Sequence, residues 1–168
     1  MSHRLLLIFG KPGAGKSYVA DIAARSFGYF SHNGDDDLPP QMKELLFQKG
    51  TITDAMRKKF AGNIIATVKK LSEKHENIIL HQTFLKEFMR IQILDAFPYA
   101  KFILVEADDA IREKRYLKRA YFNLGLPYLR HMTDLFEPVQ VPHTVLKNNS
   151  EGATHIMEQL KNITRGNL

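Results

Sequence analysis

Residues 10–17 have the residue types and spacing of a phosphate-binding loop, a glycine and four residues followed by Gly15-Lys16-Ser17. Glycines let backbone N–H groups approach a phosphate without an intervening Cβ, and a helix that begins at the lysine adds its positive N-terminal end. Lys16 would reach the β- and γ-phosphates of ATP, and the Ser17 hydroxyl would bind Mg²⁺. The predicted nucleotide-binding residues are Gly10, Pro12, Gly13, Ala14, Gly15, Lys16, Ser17 and Tyr18.

An acidic cluster, Asp35, Asp36 and Asp37, follows the predicted second strand. In open α/β sheets, ligands bind beyond the carboxyl ends of the strands. A carboxylate there could accept a proton from an attacking hydroxyl or help to hold Mg²⁺ through water. Asp35 is the first choice for both roles and Asp37 the second, while an acidic turn or a helix cap is the alternative interpretation of Asp36 and Asp37.

Arg112, Arg115 and Arg119 are spaced at i, i+3 and i+7 on a helix predicted to begin after an Asp108 N-cap. Guanidinium groups aligned in this way suit a lid that closes over phosphates and stabilises the transferring group. Arg115 and Arg119 are therefore predicted to be catalytic, with a solvated basic face as the alternative. The same spacing predicts that the opposite face carries Ala110, Leu117 and Tyr121.

Short apolar runs alternate with helical stretches, which predicts parallel strands in an α/β layered fold. Strands are expected at 4–9, 29–31, 77–81, 101–106 and 144–146, and helices at 16–27, 83–97 and 151–163. The segment 38–72 is predicted to be a helical insertion, broken near 50–54, where Thr51 or Thr53 could cap the second helix. The segment 123–142 is predicted to be partly irregular, and 119–137 to form the lid of one domain spanning 1–168.

The chain has 168 residues, of which 44% are hydrophobic and 25% charged, as expected for one globular domain rather than a disordered chain. It has no cysteine, which excludes disulfides and thiolate chemistry, and its seven histidines lack metal-ligand spacing. Apolar runs too short for a signal peptide or a membrane span predict a cytoplasmic, soluble protein without membrane contact. Segment 111–131 carries six basic residues against one acid, which predicts an anionic partner.

The weaker motifs resemble the gluconate kinase branch of the shikimate-kinase-like P-loop kinases, from the phosphate-binding loop to about Pro138. Gly34-Asp35 and the following Leu-Pro resemble that family's Gly-Asp-x-Leu-His-Pro loop, with one extra residue here. The segment from Gly50 to Arg57 resembles its Gly-x-x-Leu-x-Asp-x-Asp-Arg motif. Three further matches are Thr83-Phe-Leu-Lys86 with Arg90, the pair Arg115 and Arg119, and Leu135-Phe-Glu-Pro138.

This resemblance implies a five-stranded parallel sheet in a three-layer P-loop fold, ATP with Mg²⁺, and phosphoryl transfer to a hydroxyl of a small, anionic metabolite such as a gluconate-like sugar acid. The residues that would bind this acceptor are Asp35, Arg57, Lys86, Arg90 and His131. The chain departs from the family at Ala120-Tyr-Phe122, at His131-Met132 and at His81-Gln82. These departures fall where the acceptor would be recognised, so its identity is left open.

Two alternatives are considered, a second kind of enzyme and a protein of another functional class. The basic 111–131 segment is also compatible with a kinase of nucleic-acid 5′-hydroxyl groups, although a small-molecule acceptor is favoured over nucleic acid. The departures from the family motifs are compatible with a nucleotide-binding regulatory protein without turnover. Oligomeric state is not determined by the sequence, and a homodimer is one option.

Overall fold

The computed structural model describes residues 4–119, 123–149 and 151–165. Five parallel strands form one sheet in the order β2-β3-β1-β4-β5, which confirms the predicted class and strand number. The strands are β1 (Arg4–Phe9), β2 (Phe30–Asn33), β3 (Asn77–His81), β4 (Lys101–Glu106) and β5 (Thr144–Lys147). The helices are α1 (Lys16–Phe27), α2 (Pro40–Phe47), α3 (Asp54–Ser72), α4 (Glu87–Ala96), α5 (Asp109–Leu117), α6 (Leu126–Asp134) and α7 (Ala153–Arg165).

The central strand β1 is buried on both faces, as expected for a parallel sheet covered by helices on each side. Leu5, Leu7 and Phe9 belong to a core shared with α3 and α4. Leu6 and Ile8 belong to a second core shared with α1 and α7. The period-2 alternation of side chains therefore gives three layers, and it brings the loop after β1 to the middle of the sheet's carboxyl edge.

The predicted helical segment 38–72 divides into α2 and α3. Thr53 caps α3, because its side chain accepts a hydrogen bond from the Met56 N–H at 3.2 Å; this confirms Thr53 over Thr51. The partly irregular segment 123–142 contains α6. Among the described residues, no helix combines the length and the apolar character that crossing a membrane requires.

Helix α4 begins at Glu87, four residues later than predicted, because residues 83–86 are held in a loop. Phe84 in this loop has a φ of 48°, and its buried side chain anchors the loop in the core. The β2 and β5 bounds also differ slightly from the expected ranges. Such differences arise because tertiary contacts set the ends of elements that local sequence defines weakly.

Helix α5 turns Arg112 inward, which differs from the solvated basic face considered as the alternative. Leu117 is 48% exposed, whereas Arg112 and Tyr116 are buried. Arg112 donates from this face to the Pro12 carbonyl, to Asp109 and to Thr133, and these polar partners account for a buried guanidinium. Asp108 occupies the N-cap position without a capping hydrogen bond from its side chain, which instead accepts one from Asn149. Ala120-Tyr-Phe122 lie outside the described residues.

Arg90, predicted to bind the acceptor, is fully buried. Its Nε donates to the Phe84 carbonyl, Nη1 to Glu87 and the Pro138 carbonyl, and Nη2 to the carbonyls of Leu85 and Glu137, at 2.6–3.2 Å. A guanidinium has five N–H donors, and these five contacts use them all. The prediction is therefore wrong for this conformation, because Arg90 fastens the loop before α4 to the segment before β5.

Replacing Arg90 with methionine is expected to lower the free energy of unfolding by about 3–5 kcal/mol, because buried acceptors lose their charged partner. The measurement is urea unfolding followed by circular dichroism. Arg25→Met, the same exchange at an exposed position of α1, serves as control and should change stability by less than about 1 kcal/mol. An unchanged unfolding midpoint together with weaker acceptor binding would return Arg90 to the acceptor site.

Candidate active site

The phosphate-binding loop lies against β4 and α5. Gly13 has a φ of 81°, and a Cβ at this position would lie 2.5 Å from the Arg112 carbonyl oxygen. Both the left-handed backbone and the close approach therefore require glycine. The loop leads directly into α1, which begins at Lys16 as predicted.

Donors from the protein bind the carbonyl groups on the outer side of this loop. Arg112 Nη1 donates to the Pro12 carbonyl at 3.0 Å, and Asn148 Nδ2 donates to the Ala14 carbonyl at 2.9 Å. Lys16 Nζ donates to the Lys11 carbonyl at 3.2 Å. These bonds hold three carbonyls of the loop. The Ala14 N–H also donates to the Lys11 carbonyl, at 3.2 Å, and the other amides of the loop and of the first turn of α1 can face an anion. Ser17 and Tyr18 are exposed at the start of α1.

The Lys16 amine lies among several charged groups. Burial lowers its pKa to about 7, with further lowering by the Arg119 charge, an opposing effect of Asp35 and a smaller lowering by Arg112. Arg119 and Asp35 are thus close enough to Lys16 to influence its charge. Both were predicted to be catalytic, and the structure brings both toward the phosphate-binding lysine.

Asp35 is exposed, and one of its two carboxylate oxygens accepts a hydrogen bond from Gln82. Gln82 Nε2 donates to Asp35 Oδ1 at 2.6 Å, while the Gln82 side-chain oxygen accepts the N–H of Thr83. Asp37 is fully engaged elsewhere: His32 contacts its Oδ2 at 2.6 Å, and Thr67 donates to its Oδ1 at 2.6 Å. Of the two candidate carboxylates, Asp35 is therefore the one available to a ligand.

His81 ends β3 beside the loop, with its Nδ1 3.5 Å from the Ser17 Oγ. Burial lowers the pKa of His81, and the Lys16 charge lowers it further. A neutral imidazole can exchange a hydrogen bond with the serine hydroxyl without adding positive charge to a site that already contains Lys16 and Arg119.

The two predicted catalytic arginines occupy different places. Arg119 lies beyond the end of α5, exposed, with its guanidinium carbon 5.3 Å from the centre of the Tyr116 ring. Arg115 instead reaches under the loop, where Nη1 donates to the Asn148 carbonyl at 2.9 Å and to the Ala14 carbonyl at 3.4 Å. Its Nη2 also lies 3.5 Å from the Asn148 Oδ1, so Arg115 contacts both the loop and Asn148.

The predicted acceptor-binding residues are also dispersed. Lys86 pairs with Glu137 at 3.0 Å, and His131 is exposed on α6, so acceptor contact by either stays a prediction. Arg57 is buried and uses Nη1 on the Ile52 carbonyl and Asp54, and no hydrogen bond joins its Nε or Nη2 to another of the described residues.

Sequence reasoning missed Tyr128 on α6. Burial raises its pKa to about 12, with Tyr116 adding to the shift, Arg57 opposing it and Asp35 adding to it. The Tyr128 hydroxyl is thus close enough to Arg57 and Asp35 for their charges to affect its pKa. Gln82 and Asn148 were not assigned roles either, because amide side chains in loops have no distinctive spacing.

A cavity of about 450 Å³ lies on another side of the loop, bordered by the end of β4, the start of α5 and Lys147. Its lining includes Lys11 and Arg112 but neither Asp35 nor Arg57. Several of its charged side chains are paired with one another, Arg112 with Asp109 at 2.6 Å and Lys147 with Glu106. The cavity is therefore distinct from the group formed by Asp35, Arg57 and Tyr128.

A protein-family model described as an AAA domain matches residues 6–123, from β1 through α5, and so includes the phosphate-binding loop, Asp35 and Arg119. The chain belongs to the AAA domain family. No curated protein sequence matches it.

This AAA domain protein is similar in fold to solved kinase structures. It aligns with a sugar kinase from Janibacter sp. HTCC2649 at a TM-score of 0.82 and 14% identity, over 98% of this chain and 95% of the other. For a gluconokinase from Sinorhizobium meliloti 1021, the TM-score is 0.73 at 17% identity, over 97% of both chains. For the APS kinase of Mycobacterium tuberculosis in complex with AMPPNP and APS, it is 0.69 at 13% identity, over 98% of both. The predicted likeness to gluconate-kinase-like proteins is confirmed at the level of fold.

Nucleotide binding to this AAA domain protein is expected to take up protons. Negative phosphates beside Lys16 raise its pKa from about 7, so near pH 7.5 the bound state holds roughly three quarters of a proton more than the free state. The measurement is titration calorimetry with Mg²⁺ and ADP in two buffers of different ionisation enthalpy.

Lys16→Arg tests the source of the proton, because a guanidinium stays charged throughout this pH range. The uptake should disappear in this variant and persist in Lys43→Arg, the same exchange at an exposed lysine of α2. Proton release, or equal uptake by both variants, would contradict the assignment.

Proposed function

We propose that this protein is an ATP- and Mg²⁺-dependent kinase that transfers a phosphoryl group to a hydroxyl of a small metabolite. The observation that carries the proposal is the placement of Asp35, held by Gln82 and acting electrostatically on Lys16 across the phosphate-binding loop. A phosphate-binding lysine alone supports nucleotide binding. An accessible carboxylate beside it adds a group that can activate an acceptor hydroxyl.

The residues of the loop suit a magnesium nucleotide. The amides of residues 13–17 and Lys16 would hold the β- and γ-phosphates, and Ser17 would hold Mg²⁺, which prefers oxygen ligands and keeps several waters. Among the described residues, no group of three or more His, Asp or Glu side chains could hold a metal by itself. Phosphate and water oxygens would then supply most of the ligands, with Asp35 assisting through water. The bound ion would neutralise charge on the transferring phosphate.

Two side chains have complementary roles in transfer. The Gln82 hydrogen bond fixes Asp35 through Oδ1, which leaves Oδ2 to accept the proton of the attacking hydroxyl. Arg119, on the exposed side near Lys16, would stabilise the charge of the transferring group. Arg115 supports this chemistry less directly than predicted, because its described contacts are with the loop and Asn148.

The acceptor side favours a small molecule with one anionic group. Of the predicted cationic contacts, Arg90 is used internally and Lys86 is paired with Glu137. Arg57 keeps Nε and Nη2 for a ligand and lies near the Tyr128 hydroxyl. A guanidinium binds a carboxylate well, so a hydroxylated carboxylic acid of the sugar-acid type is the favoured class. Fold similarity to a gluconokinase and a sugar kinase supports this choice.

The basic segment 111–131, which suggested the alternative of a nucleic-acid kinase, directs only part of its charge outward. Arg112 and Arg115 bind the loop and Arg130 pairs with Glu113 at 3.2 Å, whereas Lys114, Lys118 and Arg119 are exposed. A regulatory protein without turnover makes a distinct prediction, namely nucleotide binding with no phosphorylated product.

The proposal is tested by ADP release from ATP and Mg²⁺ with sugar acids, matched polyols, shikimate and a 5′-hydroxyl oligonucleotide. A sugar acid should raise turnover above a Lys16→Ala blank. Asp35→Asn should lower kcat about 100-fold or more while ADP still binds, because the amide cannot accept the proton. Asp36→Asn, at the exposed neighbouring position, is the matched control and should retain most activity.

Nucleotide binding without product across the panel would instead favour the regulatory alternative. Turnover with the oligonucleotide alone, weakening steeply with salt, would favour the nucleic-acid kinase. Full activity of Asp35→Asn would remove the proposed role of that carboxylate.

Arg57→Met is expected to raise the acceptor KM about tenfold or more with a smaller change in kcat, because a charged hydrogen-bond partner of the carboxylate is lost. The measurement compares the KM of a sugar acid with that of the polyol of the same carbon number. The polyol lacks the carboxylate, so its KM should change little. Lys59→Met, an exposed exchange on the same helix, is the control. Equal effects on both acceptors would show that Arg57 does not recognise the carboxylate.

A further inference from the structure

Asn148, the first residue after β5, is buried, with only 3% of its surface exposed. Its backbone N–H extends the sheet by donating to the Glu106 carbonyl at 2.8 Å. Its side-chain Nδ2 donates to the Ala14 carbonyl in the phosphate-binding loop at 2.9 Å. One residue therefore joins the end of the sheet to the loop.

The fit between Asn148 and the loop is close. A Cβ on Gly15, where φ is 91°, would lie 2.3 Å from Asn148 Nδ2, so the amide fills the space that a side chain would take. Arg115 approaches the same group, with Nη1 2.9 Å from the Asn148 carbonyl oxygen and Nη2 3.5 Å from Oδ1. Arg115 Nη1 also lies 3.4 Å from the Ala14 carbonyl oxygen.

We propose that Asn148 is a positioning residue for phosphate binding and that Arg115 acts with it. Both hold the Ala14 carbonyl on the outer side of the loop. A carbonyl released toward the ligand would place a partial negative charge near the phosphates and turn the adjoining amide away. Asn148 thus raises phosphate affinity through the loop, without contacting the nucleotide.

A direct contact with the base is the competing role, because Asn148 begins the loop after the last strand. The geometry favours positioning, since Nδ2 is already bonded to Ala14 and Oδ1 faces Arg115. A positioning role affects the affinity for any ligand that occupies the phosphate site, whereas a contact with the base affects the affinity for nucleotides alone. The inference goes beyond the proposed kinase function, because it concerns phosphate binding and requires no acceptor.

The experiment measures dissociation constants of ADP and of tripolyphosphate, which has no base, for the full chain and its variants. Asn148→Ala should raise the dissociation constants of both ligands by a similar factor, about tenfold, because one buried hydrogen bond to the loop is lost. Asn149→Ala is the matched control: Asn149 bonds Asp108 instead of the loop, and its variant should bind both ligands nearly as the unaltered protein does.

Two further variants keep the test decisive. Asn148→Leu retains side-chain volume and should show the same loss, which covers the case in which Asn148→Ala folds poorly. Combining Asn148→Ala with Arg115→Met should weaken tripolyphosphate binding by less than the product of the two single effects, because both side chains hold one carbonyl.

Weaker ADP binding with unchanged tripolyphosphate binding would overturn the inference in favour of base contact. Equally weak binding of both ligands by Asn149→Ala would overturn it in favour of a general effect of the segment after β5. Unchanged dissociation constants for both ligands in both Asn148 variants would also overturn it. None of these readouts involves turnover, so they are independent of whether the proposed kinase activity is found.

Discussion

A phosphate-binding loop accepts an anion only while its carbonyl groups point away from that anion, and much of this structure serves that requirement. Arg112 binds the Pro12 carbonyl from α5, and Asn148 binds the Ala14 carbonyl from the end of β5. Both can reach the loop because the strand order places β4 and β5 on one side of β1. The sheet thus carries donors to the loop's outer side and leaves its amides for phosphate.

The same arrangement concentrates positive charge around the Lys16 amine. Burial and the neighbouring arginines lower its pKa, and Asp35 works against that effect. The arrangement therefore disfavours the protonated lysine until phosphate arrives, which links phosphate binding to protonation. Part of the charge of the basic segment 111–131 also serves this loop, since Arg112 and Arg115 donate to its carbonyl groups.

Around the proposed acceptor site, internal hydrogen bonds and ion pairs hold most of the charged side chains and leave a few for a ligand. Asp37 ties the acidic turn to α3 through Thr67, and Arg90 ties the loop before α4 to the segment before β5. These bonds fix the backbone from which Asp35, Gln82 and Arg57 project. Such a frame leaves one exposed carboxylate near Lys16 and one partly unbound guanidinium, the two groups on which the proposed acceptor class depends.

The sequence by itself determined what depends on local spacing. The glycines and lysine of residues 10–17, the apolar strand runs and the Thr53 cap are each specified by neighbours along the chain. It gave Arg57 and Arg90, or Arg115 and Arg119, the same role, and it ranked Asp35 above Asp37 without excluding Asp37, because the members of each pair share the same chemistry. Only the tertiary structure decided these, because a charged side chain's role depends on which partners lie within hydrogen-bond distance and on how far burial removes water. For Arg90 and Asp37 those partners are internal, whereas Arg57, Arg119 and Asp35 keep polar groups available to a ligand.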